Sequence, residues 1–349
     1  MRRLVQGNEA MFFGAVRAGA EFFAGYPITP SSEILMLAAE HANRHPKFKF
    51  VQSEDEISAG NAIMGASLAG AKSFTATSGP GFSLMQEAIG YGHQAEIPTV
   101  IINVQRVAPG TGMPTMPAQQ DIMQSRFGSS GDYYPFVFYP NSVAECYKYT
   151  MVSFNAAEES ESPVVLLSDA YLGHLNEVVD FHCIKLPRAV RRKRAPLGTG
   201  QRLFTGLVHD EQGRPRTADA ETCKRWHVRV SDLHTKVSNR YIDFEFQPNL
   251  SSDTLIISYG IVSRVLQPLS SQFALFRPIR MFPLLTDEIR RCANDYRNIV
   301  VMEANDGQYA TIIESVLKRD VHRVPLFGGR INLASARAGL RKALGRMIE

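Results

Sequence analysis

Three short segments decide the fold of this 349-residue chain: Tyr-Pro-Ile-Thr-Pro-Ser-Ser at 26–32, Gln-Ser-Glu-Asp-Glu at 52–56 and Thr-Ala-Thr-Ser-Gly-Pro-Gly at 75–81. Each segment ends an apolar run in small, polar or hydroxylated residues. In open α/β sheets, ligands bind in the crevice at the carboxyl ends of parallel strands, where such loops meet. The pattern therefore predicts a cofactor pocket at one edge of a parallel sheet.

The rest of the first half alternates short apolar runs with helical patterns, which is typical of a doubly wound parallel sheet. The predicted strands are 22–24, 49–51, 73–77, 99–104 and 164–168. The predicted helices are 8–18, 32–43, 53–69, 82–94 and 142–158.

The alternation stops after residue 185 and resumes near residue 251. The intervening stretch, 186–250, is rich in Pro, Gly and Arg and shows helical character only around 220–239. Connections of this length are uncommon inside a compact domain. We therefore predict a first domain at 1–185, a connecting segment at 186–250 and a second α/β domain at 251–349. Within the second domain we predict strands at 254–258, 279–281 and 298–303, and helices at 262–273, 287–294 and 308–318.

Composition favours a cytoplasmic enzyme. The chain shows neither a charged-then-apolar leader nor an apolar run of about 18 residues, so we expect no signal peptide and no contact with a membrane. The net charge of +4 is mild, and much of it lies in the basic run Arg188, Arg191, Arg192, Lys193 and Arg194. No aromatic residues alternate with these charges, which favours a solvated connection or a subunit contact over nucleic-acid binding.

The cysteines and histidines predict no metal site in this chain. Cys146, Cys183, Cys223 and Cys292 form no Cys-x-x-Cys pair, which argues against a zinc site or an iron-sulfur cluster. His93, His174, His209 and His234 lack metal-ligand spacing, and we interpret each as structural.

Together with further segments in the same order, the three opening segments resemble the alpha subunit of the 2-oxoacid:ferredoxin oxidoreductases, which are thiamine diphosphate enzymes. The further segments are Gln105-Arg106, Pro114-Thr115, Asp121 to Gln124 and Leu166-Leu167-Ser168-Asp169. The resemblance implies a pyrimidine-type thiamine diphosphate-binding domain followed by a transketolase C-terminal-like α/β domain.

The segment Thr-Gly-Leu-Val-His-Asp-Glu at 205–211 is similar to alpha subunits of the 2-oxoglutarate branch. That branch carries out coenzyme A-dependent oxidative decarboxylation of 2-oxoglutarate to succinyl-CoA and CO₂, with reduction of ferredoxin. The resemblance leaves two alternatives open. One is the same chemistry on branched-chain 2-oxoacids or pyruvate, and the other is a catalytically silent scaffold subunit.

Thiamine diphosphate needs a buried carboxyl group at its aminopyrimidine end, and burial would raise the pKa of that group. Glu54 and Glu56 are the candidates, both expected in the first turn of a helix, and the spacing to Gly65 matches the family's catalytic glutamate at Glu56. The alternative is that both carboxylates only stabilise the start of the helix through its dipole. The cofactor-binding residues implied by the resemblance are Glu56, Pro27, Ile28, Thr29, Ser78 and Gly79.

A 2-oxoacid carries a carboxylate beside a ketone, so it suits a planar cation together with a hydroxyl group. The family positions that contact the substrate match Arg106 for the carboxylate and Thr29 for the ketone. The alternatives are an ordinary salt bridge for Arg106 and a turn residue between two prolines for Thr29. Gly110 stands where relatives commonly have Ser, which leaves the substrate contacts beyond these two open.

The diphosphate end of the cofactor needs Mg²⁺, which such enzymes hold with Gly-Asp-Gly and a later Asn. Neither Gly131-Asp132-Tyr133 nor Asn305-Asp306-Gly307 completes that pattern. We therefore expect a partner beta subunit to carry the Mg²⁺, the diphosphate site and an iron-sulfur cluster. A gamma-type subunit and ferredoxin are the other expected partners, with coenzyme A as co-substrate.

Overall fold

The computed structural model describes residues 2–192, 195–199 and 203–345, and in these ranges the chain forms two α/β sheets and a short two-stranded ribbon. The strands are β1 (Arg2–Gln6), β2 (Phe22–Gly25), β3 (Lys49–Gln52), β4 (Ser73–Thr77), β5 (Thr99–Gln105), β6 (Phe136–Phe138), β7 (Pro163–Asp169), β8 (Asn176–Asp180), β9 (Phe244–Gln247), β10 (Thr254–Ile257), β11 (Ala274–Pro278), β12 (Arg280–Phe282), β13 (Asn298–Glu303) and β14 (His322–Pro325).

Helices flank both sheets. They are α1 (Gly7–Arg17), α2 (Ser32–Arg44), α3 (Glu56–Leu68), α4 (Gly79–Leu84), α5 (Gln86–Gln94), α6 (Ile122–Phe127), α7 (Val143–Ser160), α8 (Ala170–His174), α9 (Ala220–Ser238), α10 (Gly260–Val265), α11 (Thr286–Ala293), α12 (Gln308–Leu317) and α13 (Leu333–Leu344), with a 3₁₀ turn at Gln267–Leu269.

The first sheet has seven strands in the order β12-β6-β7-β5-β4-β2-β3. All neighbours are parallel except β12 and β6, which are antiparallel. The predicted strand at 279–281, now β12, therefore belongs to the first sheet and not to the second, where we had placed it. Its physical role is to cover the edge of β6, which would otherwise present unpaired backbone groups.

Alternating side chains along β5 explain how the first sheet is buried on both faces. Val100, Ile102 and Val104 lie in a core with α1 and α7. Ile101 points the other way, into a core that continues to Ile257 of β10 in the second half of the chain. Because successive strand residues face opposite sides, one apolar run serves both cores. The second core joins the two halves without a polar break.

The second sheet has five strands in the order β14-β13-β10-β11-β9, of which only β9 is antiparallel to its neighbour. Strand β9 lies inside the stretch 186–250 that we predicted as a connection. The helix predicted at 262–273 is shorter than expected: α10 ends at Val265 and Pro268 follows within the 3₁₀ turn. Proline cannot continue an α-helix without losing a backbone hydrogen bond. The domain limits 1–185, 186–250 and 251–349 stay predictions.

Part of the basic run is held against the ends of α3 and α7. Arg192 forms an ion pair with the buried Glu158 at 2.7 Å and donates to the backbone carbonyl groups of Ser67 and Ala71 at 2.6 and 2.9 Å. Lys193 and Arg194 lie outside the described residues. No helix in the described ranges is long and apolar enough to cross a membrane.

Candidate active site

The loops that follow β2, β3, β4 and β5 meet at one edge of the first sheet, as the parallel pairing requires. Gly25 of β2 lies beside Gln52 of β3, and Thr77 of β4 lies beside Asn103 of β5. Each of the three opening sequence segments begins at or next to one of these strand ends. The expected pocket edge is therefore formed by the segments from which it was predicted.

The start of α3 decides which glutamate points inward. Asp55 is the N-cap residue, and its side chain accepts a hydrogen bond from the backbone N–H of Ser58 at 2.7 Å. Glu56 is therefore the first helical residue and is only 5% exposed, whereas Glu54 precedes the helix and is exposed. The expectation that both glutamates share the first turn is thus wrong for Glu54, because the helix begins two residues later than Glu54.

Glu56 lies against the glycine-containing start of α4, the helix that follows β4. A Cβ atom placed on Gly81 would lie 2.3 Å from Glu56 Oε1 and 2.3 Å from Thr77 Oγ1. No side chain fits at position 81 while the carboxylate keeps this place. Burial raises the pKa of Glu56, and the Arg106 guanidinium opposes that rise in part. A buried carboxyl with a raised pKa suits the exchange of a proton with a ring nitrogen.

Arg106, directly after β5, reaches across the edge to the loop after β2. Its Nη1 donates to the backbone carbonyl of Thr29 at 2.7 Å, and the residue is 6% exposed. Thr29 thus contributes its carbonyl group to Arg106, while the residue itself remains exposed. The structure brings these two predicted substrate residues into direct contact.

Hydrogen bonds from α1 hold the loop after β2 in place. Asn8, fully buried at the start of α1, donates to the carbonyl of Pro30 and to Glu33 Oε2, both at 2.8 Å. The hydroxyl of Ser31 donates to the carbonyl of Ile28 at 3.0 Å and does not cap α2, although Ser31 occupies the N-cap position. Pro27, which we predicted to contact the cofactor, is exposed in the same loop, and Ile28 is half-buried.

Asp121 is a further residue of the site, and no chemical role was assigned to it from the sequence. Its carboxylate accepts from Asn103 Nδ2 at 2.9 Å, and its backbone N–H donates to Gln105 Oε1 at 2.9 Å. A Cβ atom on Gly79 would lie 3.8 Å from Asp121 Oδ2. Burial raises the pKa of Asp121 to about 6 against the opposing effects of Asn103 and Arg106. The available signal was Asn103 itself, because a polar residue inside a buried apolar strand needs a partner.

The second half of the chain holds the segment that carries Asp121. Gln119, fully buried, accepts from the backbone N–H of Ala304 at 2.9 Å and donates to the carbonyl of Tyr259 at 2.9 Å. Asn305 Nδ2 donates to the carbonyl of Gln119 at 2.6 Å, and Gln308 Nε2 donates to the carbonyl of Gln120 at 2.7 Å. The residues that follow β13 therefore fix one wall of the site.

Several buried polar atoms at this edge have no hydrogen-bond partner in the described structure, among them Ser78 Oγ, Arg106 Nε and Asn103 Oδ1. Such groups are costly to bury unpaired and mark places where a bound polar group would be stabilised. With the Glu56 carboxyl, they fit the polar aminopyrimidine end of thiamine diphosphate. Within the described residues, no cluster of three or more His, Cys, Asp or Glu side chains is arranged to hold a metal ion, and the four cysteines are free thiols.

The fold and site define a thiamine diphosphate-binding α/β protein, and comparison with known proteins gives the family. A family model described as "Pyruvate flavodoxin/ferredoxin oxidoreductase, thiamine diP-bdg" matches residues 13–235. The chain belongs to this family, which confirms the resemblance to the alpha subunits of 2-oxoacid:ferredoxin oxidoreductases. The predicted fold class is confirmed as well.

Several relatives match over nearly the whole chain. The 2-oxoglutarate synthase subunit KorA of Archaeoglobus fulgidus is 40% identical, with 94% of this chain and 95% of the relative covered. The ketoisovalerate oxidoreductase subunit VorB of Methanothermobacter marburgensis is 33% identical, with 97% and 96% covered.

A solved structure of the 2-oxoglutarate:ferredoxin oxidoreductase from Magnetococcus marinus, with 2-oxoglutarate, coenzyme A and succinyl-CoA bound, superposes with a TM-score of 0.90 at 27% identity. It covers 98% of this chain, and this chain spans 64% of the length of that chain.

Proposed function

We propose that this chain is the alpha subunit of a 2-oxoglutarate:ferredoxin oxidoreductase, which converts 2-oxoglutarate and coenzyme A to succinyl-CoA and CO₂ while reducing ferredoxin. The observation that carries the proposal is the placement of a buried glutamate, Glu56, against Gly81 of α4 at the same sheet edge as Arg106. The higher identity to the 2-oxoglutarate relative than to the ketoisovalerate relative, 40% against 33%, supports the choice of substrate.

The cofactor would supply a carbon nucleophile and an electron sink for decarboxylation. In this chain Glu56 would exchange a proton with the aminopyrimidine ring, because burial raises the pKa of its carboxyl group. Arg106 would bind the substrate carboxylate through its planar donors, oriented by the carbonyl of Thr29. The hydroxyl of Thr29 would orient the ketone, and Ser78 Oγ, buried without a partner in the described structure, would receive a polar group of the cofactor.

The same proposal assigns the remaining chemistry to partners. A beta subunit would hold the diphosphate with its Mg²⁺ and an iron-sulfur cluster, and a gamma-type subunit and ferredoxin would complete the system in the cytoplasm. The exposed loop at 109–113 follows Arg106 and lies at the same edge, where a beta subunit would approach.

The test is anaerobic purification of the tagged chain with whatever binds it, followed by coenzyme A-dependent viologen reduction with a panel of 2-oxoacids. We expect 2-oxoglutarate to have the highest kcat/KM. A preference for a branched-chain 2-oxoacid or pyruvate would favour the first alternative. Absence of turnover despite a partner that contains thiamine diphosphate and iron-sulfur clusters would favour a catalytically silent scaffold subunit.

The role of Glu56 is tested by a matched pair of substitutions. Glu56→Gln keeps the size of the side chain but cannot carry the proton, so we expect kcat to fall by about 10²- to 10⁴-fold. Glu54→Gln changes an exposed carboxylate two residues away, and we expect nearly full activity. Equal losses in both variants would contradict the assignment.

A further inference from the structure

We propose that Asp121 is a positioning residue that balances the charge of Arg106 and thereby sets the affinity of the site for the substrate carboxylate. This inference rests on the proposed function, because it needs Arg106 to bind a 2-oxoacid. Both residues lie at the carboxyl edge of the first sheet: Arg106 follows β5, and Asp121 immediately precedes α6.

The geometry keeps Asp121 in one place. Its carboxylate accepts from Asn103 Nδ2 and its backbone N–H donates to Gln105 Oε1, both at 2.9 Å. Gln120, the preceding residue, accepts from the backbone N–H of Ala108 at 2.7 Å and is bound through its carbonyl by Gln308. Asp121 therefore cannot move away when a second carboxylate enters the site.

The charges around Asp121 come from few groups. Arg106 on the β5 side interacts with both Asp121 and Glu56, so one cation faces two carboxyls. Tyr139, after β6, also interacts electrostatically with Asp121, while its hydroxyl donates to Asp169 Oδ2 at 2.9 Å. Burial holds the pKa of this phenol well above its usual value, so it stays neutral. Asn103 is neutral, and Gly79 contributes only backbone atoms, so neither residue adds a charge. Arg106 and the two carboxyls therefore carry a net charge of −1 while both carboxyls are ionised.

A substrate carboxylate that binds Arg106 must compete with the charge of Asp121. When Asp121 is protonated, this competition disappears and binding becomes tighter. By thermodynamic reciprocity, the factor by which protonation tightens substrate binding equals the factor by which substrate binding lowers the acid dissociation constant of Asp121, so bound substrate raises the pKa of this carboxyl. Burial already raises the pKa of Asp121 to about 6 in the absence of substrate, so the transition lies within an accessible range of pH.

The experiment measures KM and kcat for 2-oxoglutarate from pH 5.5 to 8.5 on the complex with its natural partners. In the wild-type protein we expect KM to rise by about tenfold as Asp121 ionises, since charge coupling between nearby groups is commonly worth about one pKa unit. In Asp121→Asn, which keeps the shape and an acceptor for Asn103, we expect KM to stay at its low-pH value throughout, with a smaller effect on kcat than on KM.

Two further variants separate charge from structure. Asn103→Ser removes the donor that stabilises the ionised form of Asp121, so the pH at which KM rises should move upward. Asp132→Asn changes an exposed carboxylate on the loop after α6 and should keep the wild-type profile. A pH profile of KM in Asp121→Asn that equals the wild-type profile would overturn the proposal.

A calorimetric measurement covers the case in which Asp121→Asn fails to fold or assemble. Binding of 2-oxoglutarate to the wild-type complex depleted of thiamine diphosphate, which cannot decarboxylate the substrate, should show uptake of protons when measured near pH 7 in two buffers of different ionisation enthalpy. No uptake would refute the inference. If the wild-type complex turns over 2-oxoglutarate with a KM that does not depend on pH, the inference fails and the proposed function stands. If no 2-oxoacid is turned over, the proposed function itself fails.

Discussion

Gly81→Ala tests the site most directly, because it adds a single methyl group at the point where Glu56 lies. The new Cβ atom would be 2.3 Å from Glu56 Oε1, whereas ordinary van der Waals contact begins near 3.4 Å, so the carboxylate must move by about 1 Å. Gly81 has an ordinary backbone conformation within α4, so alanine is compatible with the backbone itself. The substitution therefore acts mainly on the position of a flexible carboxylate.

A displacement of about 1 Å in a reacting group can reduce the rate by about 10²-fold. The cost to stability should be moderate, about 1–3 kcal/mol for overpacking, because the hydroxyl of Thr77 must also adjust. We thus expect a large loss of kcat in a protein that still folds and assembles. The control is Gly65→Ala in α3, where an added Cβ meets nothing within 4 Å and helix propensity favours alanine by about 0.5–1 kcal/mol.

The assay is coenzyme A-dependent viologen reduction per folded, cofactor-loaded complex, with thermal unfolding of the same preparations. If the effect acts through Glu56, the double variant Gly81→Ala with Glu56→Gln should be no slower than Glu56→Gln alone, since both remove the same interaction. Wild-type kcat in Gly81→Ala would refute the reasoning, and so would fully additive losses in the double variant.

Three further predictions concern stability. Arg277→Ala should lower the free energy of unfolding by about 3–5 kcal/mol, because Arg277 and Glu145 form a buried pair between the two halves of the chain, with hydrogen bonds of 2.7 and 2.8 Å. A change of less than about 1 kcal/mol in denaturant unfolding would contradict this. Asn305→Ala should lower the free energy of unfolding by about 1–3 kcal/mol, because the carbonyl of Gln119 loses its donor. It should also raise KM for the 2-oxoacid by loosening the segment that carries Asp121. An unchanged KM would show that this segment is held in place without Asn305. Asp121→Asn should raise the melting temperature at pH 8 but not near pH 4. Because the pKa of Asp121 is raised in the folded state, the stability that this group contributes to the wild-type protein is present at low pH and is lost as the pH rises through about 6. A difference in melting temperature between the two proteins that stays constant with pH would contradict this.

Much of the fold was predictable from local patterns. The strands 73–77 and 298–303 were predicted with the bounds of β4 and β13, and the helix around 220–239 corresponds to α9. These elements have clear periodicity and clear end signals, which act over a few residues. The ribbon of β1 and β8 and the strands β6, β9, β11 and β14 were not predicted, because short strands carry little periodicity and depend on their neighbours in the sheet. The helix α13 was not predicted either.

The sequence by itself determined the parallel first sheet, the loops at its carboxyl edge and the set of residues from which the site is drawn, because these follow from alternation along strands and from the small and hydroxylated residues that end them. Only the tertiary structure decided which of two glutamates is buried, since that depends on the residue at which α3 begins and on the space left by Gly81. It also decided that β12 joins the first sheet and that Asn103 holds the carboxylate of Asp121 at the site. These contacts join residues far apart in the chain, and no local pattern specifies the distance between them.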